Sequence, residues 1–389
     1  MSVYDDLGVR RVINAAATFT RLGGSLMPPP VLAAMNHAAG AFIDLDELQR
    51  KVGERIAELT KNEAAYVSAG AAAGITLAVA ACIAGTDPKL IGAFPYLEGV
   101  ERTEVIVHRS QRNGYDYAAR QTGARLVEIG DSVEELRAAF SPRTACVLWF
   151  AGSHFAAGAL PLEVIVPEAK ARGVPVIVDA AAQIPPISNL WRFTRDLGAD
   201  LSIFSGGKGL RGPQSSGLVL GRRDLIEGCR VNGNPNHSIG RPMKVGKEEM
   251  VGLLAAVEWS LAQDEPETLA RYERMVANWI AGLSGFPGVE VERGYPSEAG
   301  QPYSRAIVRL LPESGWTRDG LVAALWDRDP RIAVGTLLND PAAIALNPQT
   351  LEPGEEEIVL NVLRELLATA PTEGGRSGAP VAARPAGGR

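Results

Sequence analysis

Lys208 stands in Leu201-Ser-Ile-Phe-Ser205-Gly206-Gly207-Lys208-Gly209, an apolar run that breaks into glycines. Lysines normally occupy solvated faces, so an amine in this setting is unusual. The glycines clear space around it, and partial burial lowers an ammonium's pKa enough to leave a nucleophilic fraction. Ser205, three residues earlier, adds a hydroxyl to the same turn. The plainer alternative is a glycine-rich surface turn carrying an incidental lysine. Asp179 ends a second apolar run, Val176-Ile-Val-Asp179, and is followed by Ala-Ala-Ala-Gln183. An acid in that place either caps the next helix or aims a charge at a ligand. Ser68-Ala69-Gly70-Ala71 joins a third apolar run to a stretch rich in alanine. Small residues at a helix start let backbone N–H groups approach an anion, although close helix–sheet packing asks for the same residues. Neither a P-loop nor a G-x-G-x-x-G motif is present.

An amine, an acid and an anion cradle are what pyridoxal 5'-phosphate requires: a partner for its aldehyde, a carboxylate at its ring nitrogen and a phosphate site. Lys208, Asp179 and Ser68–Ala71 with Ser205 meet these needs. His108 ends the run Glu104–His108 and either stacks on the ring or is a hydrogen-bonded residue of the strand end. The candidate cofactor set is therefore Lys208, Asp179, Ser68, Ala69, Gly70, Ala71, His108, Gln183 and Ser205, with Lys208, Asp179 and His108 as catalytic candidates. Ser205-Gly-Gly-Lys208 also matches the S-x-x-K motif of penicillin-recognising hydrolases, but their S-D-N and K-T-G partners are missing. The four histidines show no metal-ligand spacing, so no metal is expected.

The elements that must hold these residues are short apolar runs alternating with helical stretches. Strands are expected at Ala64–Ser68, Glu104–His108, Arg125–Ile129, Cys146–Ala151, Val174–Asp179, Leu201–Ser205 and Gly217–Leu220. Helices at Ser132–Ala139 and Leu162–Arg172 lie between them. The alternation predicts an α/β fold with a mostly parallel seven-stranded sheet covered on both faces, and sites lie beyond the carboxyl ends of such strands. From Lys247 the pattern becomes long helices, Glu248–Gln263 and Glu267–Leu283. Short strands follow near Val289–Val291 and Arg305–Leu311, then a helix at Glu355–Leu367, together a smaller C-terminal α+β domain. The expected division is an N-terminal arm at 1–30, a large domain at 31–246, a small domain at 247–371 and a disordered tail at 372–389.

The chain has 389 residues with a net charge of −6. That balance excludes a broad nucleic-acid footprint. Cys82, Cys146 and Cys229 lie far apart in sequence, which speaks against a disulfide framework and for a reducing, cytoplasmic setting. The N-terminus lacks a secretory pattern. The uncharged stretch Ala69–Gly85 reads as a buried Ala-rich helix, not a membrane span.

Phe204-Ser-Gly-Gly-Lys208-Gly-Leu-Arg-Gly-Pro-Gln214 with Gly217-Leu-Val-Leu-Gly221 resembles the cofactor-lysine segment of the selenocysteine synthase-like family of fold-type I enzymes. Asn236-His-Ser-Ile-Gly-Arg241-Pro-Met-Lys244-Val-Gly-Lys247 is similar to that family's following motif, and Arg11-Val-Ile-Asn14-Ala-Ala to its opening segment. The likeness spans about residues 10 to 370 and leans toward the D-glucosaminate-6-phosphate ammonia lyase branch. It implies pyridoxal phosphate on Lys208, Asp179 at the ring nitrogen, and a site shared across a homodimer or a higher even oligomer. A tRNA-binding domain ahead of the opening segment, as in selenocysteine synthase, is not expected. Ala15-Ala16-Ala17 and Thr18–Gly24 depart from the family pattern and mark a subgroup with its own substrate.

Local charge points to a small anionic amino-acid-type substrate. Between Lys208 and Lys247 stand eight basic residues, against only Asp224 and Glu227. Arg222 and Arg223 read as ordinary solvated bases. Arg21, Arg211, Arg241, Lys244 and Arg331 are candidates for carboxylate or phosphate contacts, a task suited to the planar fork of arginine. The expected reaction is α,β-elimination of water and ammonia from a β-hydroxy amino acid or amino-sugar acid phosphate, with Lys208 as general base and His108 or Lys208 as proton donor. An aminotransferase or racemase would use the same lysine and aspartate. A tRNA-dependent selenium transferase is the remaining alternative.

Overall fold

The computed structural model describes residues 2–369. Among these residues twelve strands form two sheets. In chain order they are β1 (Val12–Ala15), β2 (Ala64–Ser68), β3 (Glu104–His108), β4 (Arg125–Ile129), β5 (Thr144–Phe150), β6 (Val176–Asp179), β7 (Leu201–Ser205), β8 (Gly217–Gly221), β9 (Val289–Gly294), β10 (Arg305–Leu310), β11 (Arg331–Thr336) and β12 (Ala343–Leu346). The chain divides into two compact units, one of residues 25–263 and one of the residues up to 24 with those from 264 onward.

The larger unit carries a seven-stranded sheet in the order β2-β8-β7-β6-β5-β3-β4. The strands β3 to β7 run parallel, while β8 is antiparallel to both of its neighbours, β7 and β2. Because helices cover both faces, the central strands are nearly continuous apolar runs. Successive residues serve opposite layers, as a strand's two-residue period requires. Val178 and Phe204 pack with Ile56, Ile165 and Leu253 on one side. Ile177 and Ile203 pack with Ile75, Leu77 and Leu225 on the other. The Ala-rich stretch is the buried helix Ala71–Ala84, and among the described residues no helix is long and apolar enough to cross a membrane. Cys82, Cys146 and Cys229 are free thiols that converge in the same layer despite their separation in sequence.

The smaller unit has the sheet order β1-β11-β12-β10-β9. Trp279, Leu321, Leu325 and Leu363 from three helices pack on Ile13 and Ala15. Two expected boundaries differ from this division. Residues 12–15 are no loose arm but a strand that pairs in parallel with β11, Val12 opposite Arg331, and Pro29 and Pro30 open the helix Pro29–Ala39. The helix Lys247–Leu261 belongs to the larger unit, where a Cβ on Gly252 would stand 2.7 Å from Met35 Cγ. The sequence reading also passed over β11, β12 and the helix Arg318–Trp326. The expected tail at 372–389 lies outside the described residues.

Gly217 shows how tightly the sheet edge is built. It pairs with Ser68 on one side and Ser205 on the other, and a Cβ there would lie 2.4 Å from Gly70 C and 2.7 Å from Ala71 N. Gly217→Ala is therefore expected to displace the helix start and cost about 1–3 kcal/mol, read as a lowered urea midpoint with an unchanged slope.

Candidate active site

The register of β2, β8 and β7 sets Ser68, Gly217 and Ser205 in one cross-strand row at the carboxyl edge of the parallel strands. The chain leaves β2 through Gly70, whose φ of +101° suits glycine, and enters the helix Ala71–Ala84. The first N–H groups of a helix have no partner within it, and no side chain caps this one. The Ser68 hydroxyl instead donates to Gly70 O at 2.9 Å and holds the turn. The backbone N–H groups at residues 71–73 thus stand at a helix start without a side-chain cap, where an anion is favoured. Gly74 serves the other demand on small residues, since its Cβ would stand 3.0 Å from Ile203 and 3.1 Å from Val219.

Asp179 ends β6, between Phe150 of β5 and Ile203 of β7. It is 9% exposed, and its Oδ1 accepts the Ala181 N–H at 3.0 Å. Burial pushes its carboxyl up from the ordinary range, against the opposing pull of that N–H and of the Lys208 ammonium. The two residues singled out from sequence are therefore close enough for the ammonium to act on the carboxyl. Gln183, four residues on, is buried and donates through Nε2 to Ala151 O at 3.5 Å. Ser205 N–H reaches Ala181 O at 3.3 Å.

Lys208 lies in a turn with little freedom. A Cβ on Gly206 would meet Ser216 Oγ at 2.0 Å, one on Gly207 would meet Gln214 Cα at 2.6 Å, and one on Gly209 would meet Ile184 O at 2.1 Å. The glycines are there because neighbouring atoms occupy the space of a side chain, which disposes of the incidental surface turn.

His108 is fully buried, and Leu160 N–H donates to its Nε2 at 3.1 Å. A nitrogen that accepts carries no proton, so the ring proton sits on Nδ1, which is buried without a partner. Desolvation lowers the imidazole pKa to about 4, with only Asp131 opposing. The ring is neutral near pH 7 and is a poor proton donor there, which leaves Lys208 as the donor of the two considered. The uncapped helix start and the buried acid, at the carboxyl edge of one sheet, are donors and a charge of the kinds that a phosphorylated, ring-bearing cofactor takes, and the orphaned Nδ1–H is a further buried donor. Sequence reasoning missed Tyr115, on the loop after β3. It is half exposed, yet partial desolvation pushes its phenol up, and the charge of Asp179 acts in the same direction. Its place after a strand's carboxyl end was the available signal.

Most of the basic segment neutralises itself. Arg222 pairs with Asp200 and Asp224, Arg230 with Glu227 and Asp46, and Lys247 with Glu248. Arg223 donates to Glu63 O at 2.7 Å. Arg211 donates to Leu26 O at 2.7 Å and lies 5.5 Å above the Trp259 ring, so it acts within the fold. Arg241 and Lys244 are exposed and make no ion pair among the described residues. Arg21 and Arg331 belong to the smaller unit, Arg21 in the turn Thr20–Leu22 and Arg331 at the start of β11. The Arg331 guanidinium lies 4.8 Å over Trp326, with Nε buried and unpartnered.

The His108 environment has a consequence for stability. Between the ordinary pKa of 6.5 and the folded value of about 4, the unfolded chain holds a proton that the folded chain lacks. Stability is full above that window and falls as the pH drops through it. The loss is expected to reach about 2–3 kcal/mol, and His108→Gln should flatten this part of the curve in urea unfolding at stepped pH.

Comparison with known proteins identifies the family. The class-V aminotransferase family profile matches residues 103–237, which include His108, Asp179 and Lys208. A 5'-C-glycyluridine monooxygenase-decarboxylase of a Streptomyces species is 34% identical over 384 residues, covering 94% of this chain and 92% of that protein. D-glucosaminate-6-phosphate ammonia lyase of Salmonella typhimurium is 32% identical over 375 residues, covering 94% and 98%. A solved structure of a D-glucosaminate-6-phosphate ammonia lyase superimposes with a TM-score of 0.82 at 31% identity, covering 96% of this chain and 100% of that one. An L-seryl-tRNA(Sec) selenium transferase of Nitratidesulfovibrio vulgaris is more distant, 28% identical over 408 residues, covering 92% and 82%. At this identity and coverage the chain belongs to the selenocysteine synthase-like family of fold-type I, pyridoxal phosphate-dependent enzymes, alongside the ammonia lyases.

Proposed function

We propose that this lyase removes water and then ammonia from an anionic β-hydroxy amino acid, an amino-sugar acid phosphate being the first substrate to test. The observation that carries this reading is that Asp179 ends β6 and the lysine turn follows its paired neighbour β7, at one edge of the sheet, in a chain that is 32% identical to an ammonia lyase over nearly its whole length. When bound, the cofactor supplies an electron sink for the carbanion formed at the substrate α-carbon. Asp179 holds the proton of the ring nitrogen. The N–H groups at residues 71–73 hold the phosphate. Lys208 takes the α-proton as general base and returns a proton to the β-hydroxyl, which leaves as water. Neutral His108 orients and covers the ring. The enamine left after water departs tautomerises to an imine, and a water adds to that imine and displaces ammonia, so the product is a 2-oxo acid and the net loss is ammonia.

Arg241 and Lys244 remain for the substrate's anionic groups. Their segment packs beside Tyr66, Leu77 and Gly85, along the middle and far end of the helix whose start forms the anion site. This arrangement supports a homodimer in which the two bases line the other copy's site. The three free cysteines support the expected cytoplasmic setting.

A second reading has its own support in the 34% identity to a monooxygenase-decarboxylase. It demands molecular oxygen and releases carbon dioxide, whereas elimination needs neither an oxidant nor an amino acceptor.

A panel of β-hydroxy D- and L-amino acids and their phosphates, assayed without oxygen, should yield equal amounts of ammonia and 2-oxo acid. Product formation that requires oxygen or an amino acceptor, or simple inversion at the α-carbon, would overturn the elimination. Lys208→Ala should be inactive, and Asp179→Asn should lose about 100-fold or more in kcat. The Asp179→Asn apoprotein should unfold at or above the wild-type temperature, because a buried charge is removed. In the proposed dimer, Lys208→Ala and Arg241→Ala proteins, each impaired alone, should regain activity when refolded together. A mixture that stays inactive would place Arg241 outside a shared site.

A further inference from the structure

The lysine turn is held on one side by a segment that no motif connects to it. The single Ser25 O–H lies within donating distance of the carbonyl oxygens of both residues at the turn's centre, Lys208 at 2.8 Å and Gly207 at 3.0 Å, a shared hydrogen bond. One residue on, Leu26 O accepts the Arg211 Nε–H at 2.7 Å. The Lys208 carbonyl also accepts the Arg211 N–H at 2.9 Å, so both of its lone-pair positions are used. The turn also meets atoms of Gln214 and Ile184, where Cβ atoms on Gly207 and Gly209 would collide at 2.6 and 2.1 Å. The peptide groups flanking Lys208 are therefore fixed both by close contacts and by hydrogen bonds. Arg211 takes a left-handed φ of +57°, a conformation disfavoured for a residue with a side chain. From it, one residue bonds Lys208 O through its backbone and Leu26 O through its side chain.

We infer that Ser25 and Leu26 form a strap that aims the Lys208 amine, with Ser25 as a positioning residue. The inference rests on Lys208 being the amine that carries the cofactor and moves the proton. An amine on a fixed backbone meets Asp179 and the reacting carbon from one direction, which conserves the alignment that proton transfer requires. Without the Ser25 hydroxyl, the Gly207 and Lys208 carbonyls lose their tie to this segment, and the lysine samples other directions. Ser25 is also the first residue of the larger unit, directly after Gly23 and Gly24, both at positive φ. The strap thus begins where the chain passes from one unit into the other.

The test uses the cofactor-loaded protein and its Ser25→Ala and Ser25→Thr variants. Titration of the visible absorbance from about pH 6 to about pH 10 reports the link between Lys208 and the cofactor without any substrate. Ser25→Ala is expected to move the midpoint by about half a pH unit or more and to release the cofactor several-fold faster on dialysis. Its kcat should fall about 10-fold with KM little changed, and Ser25→Thr, which keeps a hydroxyl, should restore all three. A wild-type midpoint and cofactor retention in Ser25→Ala overturns the strap, as does a shift that Ser25→Thr fails to restore. A restored shift in a protein that releases no ammonia from any β-hydroxy substrate overturns the proposed elimination and upholds the strap.

Discussion

A carboxylate at the end of a strand buried on both faces needs a positive charge nearby, because desolvation favours its neutral form. Asp179 is such a carboxylate, and the Lys208 ammonium is the charge that answers it. Much of the larger unit follows from keeping these two groups together. β6 and β7 must be neighbours, so that Asp179 and the lysine turn leave the sheet at the same edge. The chain must then reverse, and it does so as β8, the strand of this sheet that runs against the others. That reversal sets Gly217 between β7 and β2 and brings the helix start at Ala71 to the same edge. An acid, an amine and an anion site thus share one edge as a result of strand order, and a protonated ring nitrogen would complete the pairing of Asp179.

Charge around the site is distributed by the same logic of pairing. A chain of net charge −6 carries a basic stretch after Lys208, and most of its bases are matched by carboxylates or backbone carbonyls in the fold. Paired bases contribute little field beyond their partners. Those left exposed without a partner, Arg241 and Lys244, are the ones able to attract an anion. His108 is neutral near pH 7 and buried, so it adds no charge there. The local field of the site therefore comes chiefly from Lys208, Asp179 and the helix start.

Much of this was legible in the residues. The strands of the large sheet read clearly because parallel strands are buried on both faces and so become unbroken apolar runs. The lysine turn read clearly because glycines without room for a Cβ are conspicuous in sequence too. Other features gave weaker signals. β1 is four residues long and its partner β11 lies more than 300 positions away in sequence, so local pattern suggested an arm. The helix Lys247–Leu261 showed a face to bury but not which neighbours would bury it. Tyr115 and Ser25 are ordinary polar residues of loops, and their roles come from what lies across from them.

By itself the sequence determined the kind of chemistry and the chain order of the strands in the large sheet, because side-chain type, glycine placement and apolar period are local properties. It specified Lys208, Asp179 and a small-residue helix start, each following a strand. The tertiary structure alone decided which groups meet. It set Lys208 against Asp179, turned the Ser68 hydroxyl to its own backbone and left the neighbouring N–H groups for the anion. It also committed Arg211 to Leu26 and carried Ser25 to the lysine turn. These outcomes depend on contacts between residues far apart in the chain, which exist only once the sheet has fixed its register.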